Sequence, residues 1–123
     1  MIVNRLQVCP LNSNLASKDL YNSTNWVSGI TNYAKSIRRA GDVVFVYVDF
    51  VVPDSYSGTY TSYPIMTGLP KPKYKHSFLG GISIDGVFTQ PMLEIDTDGK
   101  LYLQVRGTAV NGRRIFATIL YVL

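Results

Sequence analysis

The last third of the chain alternates short apolar runs with glycine-centred turn signals. Runs rich in Ile, Leu, Val, Tyr and Phe are separated by Asp85-Gly86, Asp98-Gly99 and Asn111-Gly112. Asp-Gly and Asn-Gly pairs supply the positive φ angles that tight hairpin turns require. The pattern therefore predicts a series of β-hairpins that ends in a final strand over residues 115–123.

Two of the predicted strands are apolar on both faces. Residues 43–52 read VVFVYVDFVV, and residues 115–123 read IFATILYVL. A strand that is buried on one side should alternate apolar and polar residues. The second face must therefore meet another layer or another subunit, and we favour the subunit because no predicted helix is long enough to cover it. The predicted subunit contact consists of Val43, Phe45, Tyr47, Ile119, Tyr121 and Leu123.

The rest of the sequence predicts shorter strands and polar loops. Residues 2–8 and 30–38 suit strands, whereas residues 10–29 are rich in Asn, Ser and Thr and suit a loop with one helical turn near 15–20. Residues 53–76 contain several prolines, which remove backbone donors, so we expect loops or sheet edges there.

These elements together predict an all-β fold. About seven to nine short strands are typical of an antiparallel β-sandwich or a jelly roll. A chain of 123 residues suits one domain. We assign residues 1–29 to an N-terminal strand and polar loop, and residues 30–123 to the sandwich core.

Composition narrows the possible partners. Apolar residues make up 46% of the chain and charged residues only 16%, so part of the apolar surface is expected to be covered by a partner. The net charge of +4 is scattered, and this argues against nucleic-acid binding. The first residues lack the features of a signal peptide, and the longest apolar stretch is too short to span a membrane. We therefore expect synthesis in the cytoplasm and no membrane insertion.

The inventory of reactive residues argues against an enzyme. The chain has one histidine (His76), one cysteine (Cys9) and one glutamate (Glu94), and it carries no nucleophile-elbow or phosphate-loop motif. Asp96-Thr97-Asp98-Gly99 begins like a calcium loop, but the later ligands are missing. We predict no catalytic residues, metal or cofactor. A polysaccharide depolymerase would need two carboxylates flanking a cleft.

Aromatic residues point to binding instead. Nine Tyr and one Trp offer rigid faces with a hydrogen-bonding tip, which suit sugars and protein surfaces. Each candidate has an ordinary structural alternative: Trp26 as a core residue, the tyrosines as loop packing, His76 as a surface residue and Arg113 as part of a hairpin turn. The predicted saccharide-binding residues are Asn25, Trp26, Tyr56, Tyr60, Tyr63, His76 and Arg113.

Three segments carry a family resemblance. Residues 41–48 (GDVVFVYV), 69–74 (LPKPKY) and 93–103 (LEIDTDGKLYL) resemble segments of the head domains of tailed-phage receptor-binding, baseplate and tail-fibre proteins. The resemblance extends over residues 30–123. The chain departs from that family at Lys75, where an arginine followed by proline is usual, and it shows no repetitive stem before the head.

The resemblance implies a β-sandwich head that assembles as a homotrimer in the virion, at the phage tail tip or baseplate. Its implied function is host recognition, by binding a bacterial cell-wall polysaccharide or a wall-associated phosphate polymer without cleaving it. Other tail or baseplate proteins would be its partners in the virion. The alternative is a purely structural virion protein with no sugar site.

Overall fold

A computed structural model of the chain describes residues 17–78, 83–84 and 92–123. The strand predicted at residues 2–8 and the turn predicted at Asp85-Gly86 lie outside the described residues. In the described part of the chain, no helix is long and apolar enough to cross a membrane. The assignment of residues 1–123 to one domain stays a prediction.

Within the described ranges, ten strands form two antiparallel sheets that pack face to face. In spatial order, the first sheet contains β1 (Lys18–Asp19), β3 (Thr31–Ala40), β4 (Val43–Val51), β10 (Arg114–Val122) and β7 (Ser83–Ile84). The second contains β2 (Asn25–Trp26), β5 (Tyr60–Thr67), β9 (Leu101–Arg106), β8 (Met92–Ile95) and β6 (His76–Phe78). A 3-10 turn, Tyr21–Ser23, lies between β1 and β2. The predicted all-β sandwich is therefore confirmed.

The core lies between the sheets and is built from alternate residues of each strand. On β4 and β10 the inward set is Val44, Val46, Val48, Phe50, Ile115, Ala117, Ile119 and Tyr121. Ile119 and Tyr121 are only 1% and 2% exposed. This corrects their prediction as subunit contacts, because a side chain enclosed by its own chain offers no surface to a second one. Leu123 is half-buried against the same core.

The opposite face of β4 and β10 is apolar as well, and it points outward. Five large apolar side chains are exposed on it: Val43, Phe45, Phe116, Leu120 and Val122. We call this set the apolar face. Phe45 lies directly opposite Leu120, and Val43 opposite Val122, so these four side chains adjoin across the two strands, whereas Phe116 lies opposite Asp49. Tyr47 lies on the same side and is half-buried.

The second sheet alternates apolar and polar residues in the ordinary way. Leu101, Leu103 and Val105 of β9 point into the core. The intervening residues Tyr102, Gln104 and Arg106 lie on the outer face of the sheet, because successive side chains of a strand point to opposite sides. This outer face carries the polar groups of the candidate site.

The glycine-centred turns have two different roles. Asp96–Gly99 joins β8 to β9 as a hairpin, with Gly99 at φ 77° and its N–H bonded to the Asp96 carbonyl at 3.0 Å. Asn111-Gly112 also contains a positive φ at Gly112, but it joins β9 to β10 in the other sheet. The hairpin predicted there is wrong, because local turn chemistry fixes the bend and not the partner of the next strand.

Residues 53–76 contain a strand that the sequence did not predict. Tyr60 and Tyr63 lie in β5, and Pro64 sits beside a shift in the β5–β9 register. Strand β2 pairs with β5 only at Met66 and Thr67, so Pro64 occupies a stretch without a β2 partner. Proline is tolerated at such positions because no donor is required there.

Candidate functional site

An open depression of about 250 Å³ lies on the outer face of the second sheet, where β5 begins and β9 ends. Cross-strand pairing brings its walls together, because Tyr60 lies opposite Arg106 and Ser62 opposite Gln104. The residues that line it are Tyr60, Thr61, Ser62, Gln104 and Arg106. They combine one exposed aromatic ring with hydroxyl, amide and guanidinium groups.

Tyr60 provides the aromatic wall. Its side chain is 78% exposed, and its hydroxyl lies 3.9 Å from where a Cβ on Gly107 would stand. The Gly107 N–H donates to the Thr59 carbonyl at 2.6 Å, which joins the loop before β5 to the end of β9. The backbone that carries Tyr60 is therefore fixed at the end of the sheet, and the exposed ring has a face available to a ligand.

A chain of hydrogen bonds fixes the polar wall. Arg106 donates through Nη2 to the Gln104 amide oxygen, and the Gln104 amide nitrogen donates to Glu94 Oε1. Glu94 and Gln104 are buried, although both belong to the outer side of the sheet. The depression thus presents a guanidinium whose position depends on buried neighbours.

Two further groups surround Glu94. The Ser77 hydroxyl donates to Glu94 Oε2 at 3.0 Å. The ammonium of Lys75 lies 3.7 Å from Glu94 Oε1 and 3.7 Å from Asp96 Oδ2. Each carboxylate oxygen of Glu94 therefore has a donor or a cation beside it, as a buried charge requires.

Tyr102 lies on the same outer face but does not act as a free tyrosine. Its hydroxyl donates to Asp98 Oδ2 at 2.8 Å. This hydrogen bond raises the pKa of Tyr102 to about 12, because the Asp98 carboxylate stabilises the protonated phenol. Tyr102 is thus tied to the β8–β9 turn.

Trp26, a predicted saccharide residue, packs onto the core. Its ring is half-buried with its centroid 5.7 Å from that of Phe50, at an interplanar angle of 49°. Aromatic pairs at this distance and tilt contribute packing energy. Asn25 is exposed beside it on β2. The structural alternative for Trp26 therefore describes its packing better than a sugar-stacking role.

Tyr56 and Tyr63 form a stacked pair, with ring centroids 4.2 Å apart and planes 6° apart. The Tyr56 hydroxyl donates to the Pro64 carbonyl at 2.9 Å, and the Tyr63 hydroxyl accepts the Gly58 N–H at 2.8 Å. Burial, together with the neighbouring Tyr63, raises the pKa of Tyr56. Both rings thus hold the loop before β5, and Tyr60 is the tyrosine of the three that lines the depression.

His76 and Arg113 lie apart from the depression. His76 is half-buried on β6 beside Phe78 and Tyr121, with ring centroids 6.5 and 6.0 Å away. Arg113 is exposed, and its backbone bonds to Val110 and Val52 in the connection that leads to β10.

The predicted saccharide residues do not form one site. His76 pairs with Ile95 and Ile95 with Leu101, at the beginning of β9, whereas Tyr60 pairs with Arg106 at its end. Five residues of extended strand span roughly 17 Å. Asn25 and Trp26 lie on β2, at the opposite edge of the second sheet from β6.

Sequence reasoning missed Gln104 and Arg106. The signal was present, because residues 101–106 read LYLQVR and alternate strictly between apolar and polar positions. This alternation places Gln104 and Arg106 on one outward face. What the sequence could not supply was the neighbouring strand that brings Tyr60 beside them.

The described residues hold no group of three or more His, Cys, Asp and Glu side chains close enough to bind a metal ion. The lining of the depression contains no carboxylate. Its groups can stack on a ring, donate hydrogen bonds to hydroxyls and hold an anion.

The architecture defines the class as a two-sheet antiparallel β-sandwich with an open polar depression at the end of one sheet. The chain is similar to the crystal structure of the head domain of phage bIL170, described as a receptor-binding domain of lactococcal phages. The TM-score is 0.58 at 17% sequence identity, and the match covers 89% of this chain and 98% of that one. The predicted resemblance is therefore confirmed for the fold.

The sequence comparisons add no family assignment. No protein-family model matches the chain. No curated protein matches it either. The likeness is therefore one of fold.

Proposed function

We propose that this protein is a host-recognition module of a phage virion, which binds a saccharide on the bacterial surface. The observation that carries the proposal is the depression beside Tyr60, on a fold shared with a phage receptor-binding head domain. An aromatic ring beside hydroxyl and amide groups suits the apolar face and the hydroxyls of a sugar. The virion tail is the location that this function requires.

The single charged residue among the five lining residues supports an acidic saccharide. Arg106 offers a planar guanidinium, which binds phosphate and carboxylate groups through paired hydrogen bonds. A cell-wall polysaccharide or wall-associated polymer that carries such groups would place its sugar on Tyr60 and its anion on Arg106.

The proposed module binds without cleaving. Glycoside hydrolysis requires two carboxyl groups about 5–9.5 Å apart across the scissile bond. None of the five lining residues supplies one. Incubation of the protein with purified wall polysaccharide should therefore release no reducing sugar, and steady release would contradict this part of the proposal.

The apolar face supports assembly into a homotrimer. Five exposed apolar side chains on two paired strands form a patch of the kind that marks a protein–protein contact. Three copies related by a threefold axis would each cover part of it. Light scattering on the purified chain should give three times the monomer mass, and a stable monomer at micromolar concentration would remove the trimer.

A matched pair of tyrosines tests the binding site. Tyr60 and Tyr74 are 78% and 77% exposed, but only Tyr60 lines the depression. Binding to wall polysaccharides purified from a panel of Gram-positive strains should weaken about tenfold in Tyr60→Ala, because an aromatic contact and its covered area contribute about 1–2 kcal/mol. Tyr74→Ala should bind as the wild type does.

The alternative, a purely structural virion protein, uses the same fold and the apolar face but no sugar site. Wild-type protein that binds none of the panel would favour it. Equal binding by wild type and Tyr60→Ala would move the site away from the depression.

A further inference from the structure

Three side chains form a hydrogen-bonded chain whose direction is fixed by its two ends. An ionised glutamate only accepts hydrogen bonds, and an arginine only donates them. Gln104, between Glu94 and Arg106, has one amide end of each kind. Its nitrogen faces Glu94 and its oxygen faces Arg106. The opposite orientation would set two acceptors against each other at Glu94 and two donors at Arg106.

The sheet register builds this chain. Gln104 and Arg106 are two residues apart on β9, so they share the outer face. Glu94 lies on β8, two residues along from Met92, the residue directly opposite Gln104. A diagonal neighbour of this kind is within reach of a long side chain. Ser77 holds the other oxygen of Glu94 from β6.

We propose that Glu94 is a positioning residue for the saccharide site, which fixes the Gln104 amide and through it aims the Arg106 guanidinium at an acidic group of the ligand. This inference rests on the proposed function. Glu94 is 6% exposed and does not line the depression, so it acts without touching the ligand. Its link to the depression is the hydrogen bond from the Gln104 amide, and Gln104 does line the depression.

The direction in which the affinity for an acidic ligand changes, when Glu94 is removed, distinguishes this positioning role from simple electrostatics. Glu94 is a negative charge close to a site for an anion, and removing it should strengthen anion binding if only charge mattered. In the positioning role its removal weakens binding, because the Gln104 amide becomes free to turn and Arg106 loses its fixed acceptor. The two accounts predict opposite changes.

The test uses the full chain and three small probes. N-acetylglucosamine 1-phosphate and glucuronic acid carry the two candidate anions, and N-acetylglucosamine is the neutral reference. Dissociation constants and the Arg106 Nε–H resonance are followed by NMR titration. Wild type should bind at least one acidic probe more tightly than the neutral sugar, and the tighter of the two identifies the anion.

Glu94→Ala should weaken binding of that acidic probe about fivefold to tenfold, the size expected when one ordinary hydrogen bond is lost. Glu94→Gln should stay within about twofold, because its amide oxygen still accepts from Gln104 while its nitrogen faces Ser77. Asp96→Asn is the matched control, since Asp96 also lies 3.7 Å from Lys75 but has no bond to Gln104. It should bind as the wild type does.

Unchanged or tighter binding by Glu94→Ala overturns the proposal, and so does an equal loss in Glu94→Ala and Glu94→Gln. If Glu94→Ala does not fold, Gln104→Met replaces it. Methionine keeps the length of the side chain and removes both of its hydrogen-bonding groups. Gln104→Met must then show the loss and an altered Arg106 resonance, and wild-type behaviour would overturn the proposal. Failure of the site itself is distinct: Tyr60→Ala and Arg106→Ala would then bind the probes as the wild type does.

Discussion

Asp49 and Arg114 form two parallel hydrogen bonds between neighbouring strands, Nε to Oδ1 at 2.9 Å and Nη2 to Oδ2 at 2.8 Å. Asp49 is 7% exposed and lies opposite Phe116, so this carboxylate is enclosed at one end of the apolar face. The Arg114 guanidinium also lies 4.1 Å from the centre of the Tyr33 ring. The pair therefore satisfies the one acidic group on an otherwise apolar strand.

This pair predicts a dependence of stability on acid. The hydrogen bond from Arg114 holds the pKa of Asp49 below its ordinary value, although burial opposes it. A lowered pKa means that the stabilisation is present at neutral pH and is lost as the pH falls from about 4 through the folded-state value. The midpoint of thermal unfolding should fall in that range in wild type. In Asp49→Asn it should be lower at pH 7 and change less with acid.

Circular dichroism from pH 7 to pH 2 measures both effects. Asp42→Asn, in the exposed turn between β3 and β4, is the control. Its unfolding midpoint at neutral pH should equal that of the wild type. Identical pH profiles for Asp49→Asn and wild type would show that the pair does not stabilise the fold.

A charge on the apolar face should prevent assembly and leave the fold intact. Leu120 is 60% exposed in the single chain, so Leu120→Arg removes little core packing. An arginine buried without a partner in a subunit contact is strongly unfavourable. We expect Leu120→Arg to be a folded monomer by light scattering, while Thr97→Arg in the β8–β9 turn assembles as the wild type does. A trimer of unchanged stability in Leu120→Arg would place the contact elsewhere.

Trp26→Ala should cost stability without affecting the depression. The indole packs against Phe50 and is half-buried, so its removal should lower the free energy of unfolding by about 2–3 kcal/mol, less than a fully buried tryptophan. Urea denaturation measures this change. Ligand binding by the folded variant should match wild type. Lost binding at unchanged stability would instead support the saccharide role predicted from the sequence.

Two glycines with positive φ should respond differently to alanine. Gly99 has φ 77°, and a Cβ there would collide with the Leu69 carbonyl oxygen, whereas Gly41 has φ 59° and an open surrounding. Gly41→Ala should cost about 1–2 kcal/mol for the left-handed backbone alone. Gly99→Ala should cost clearly more, because the Leu69–Gly99 contact must also open. Equal losses in urea denaturation would contradict the close approach.

The positions of the strands are easier to predict from the sequence than which face of each strand is buried. Strand β4 was expected over residues 43–52 and spans Val43–Val51, because its run of β-branched and aromatic residues suits only a strand. The doubly apolar character of β10 was also recognised. The predicted outward set of β10 includes Ile119, but Ile119 faces the core and Leu120 the surface. Periodicity separates the two faces of a strand but does not say which one another layer will cover.

The candidate site, too, is predictable from the sequence only in part. Tyr60 was selected from the sequence as an exposed aromatic residue, and it does line the depression. Trp26 and His76 were grouped with it because all three are residue types suited to sugars. The sheet order separates them, and no local signal encodes which strands become neighbours across about 40 residues of chain.

The sequence by itself determined the all-β class, the long strands and the turn at Gly99, because hydrophobic period and turn chemistry are local properties. The tertiary structure decided how these strands pair and which of their faces are buried. Strand pairing placed Arg106 beside Tyr60 and Gln104 beside Glu94, and packing of the second sheet against β10 turned Ile119 inward and left Leu120 exposed. These outcomes depend on contacts between distant segments, and such contacts exist only once both sheets are assembled.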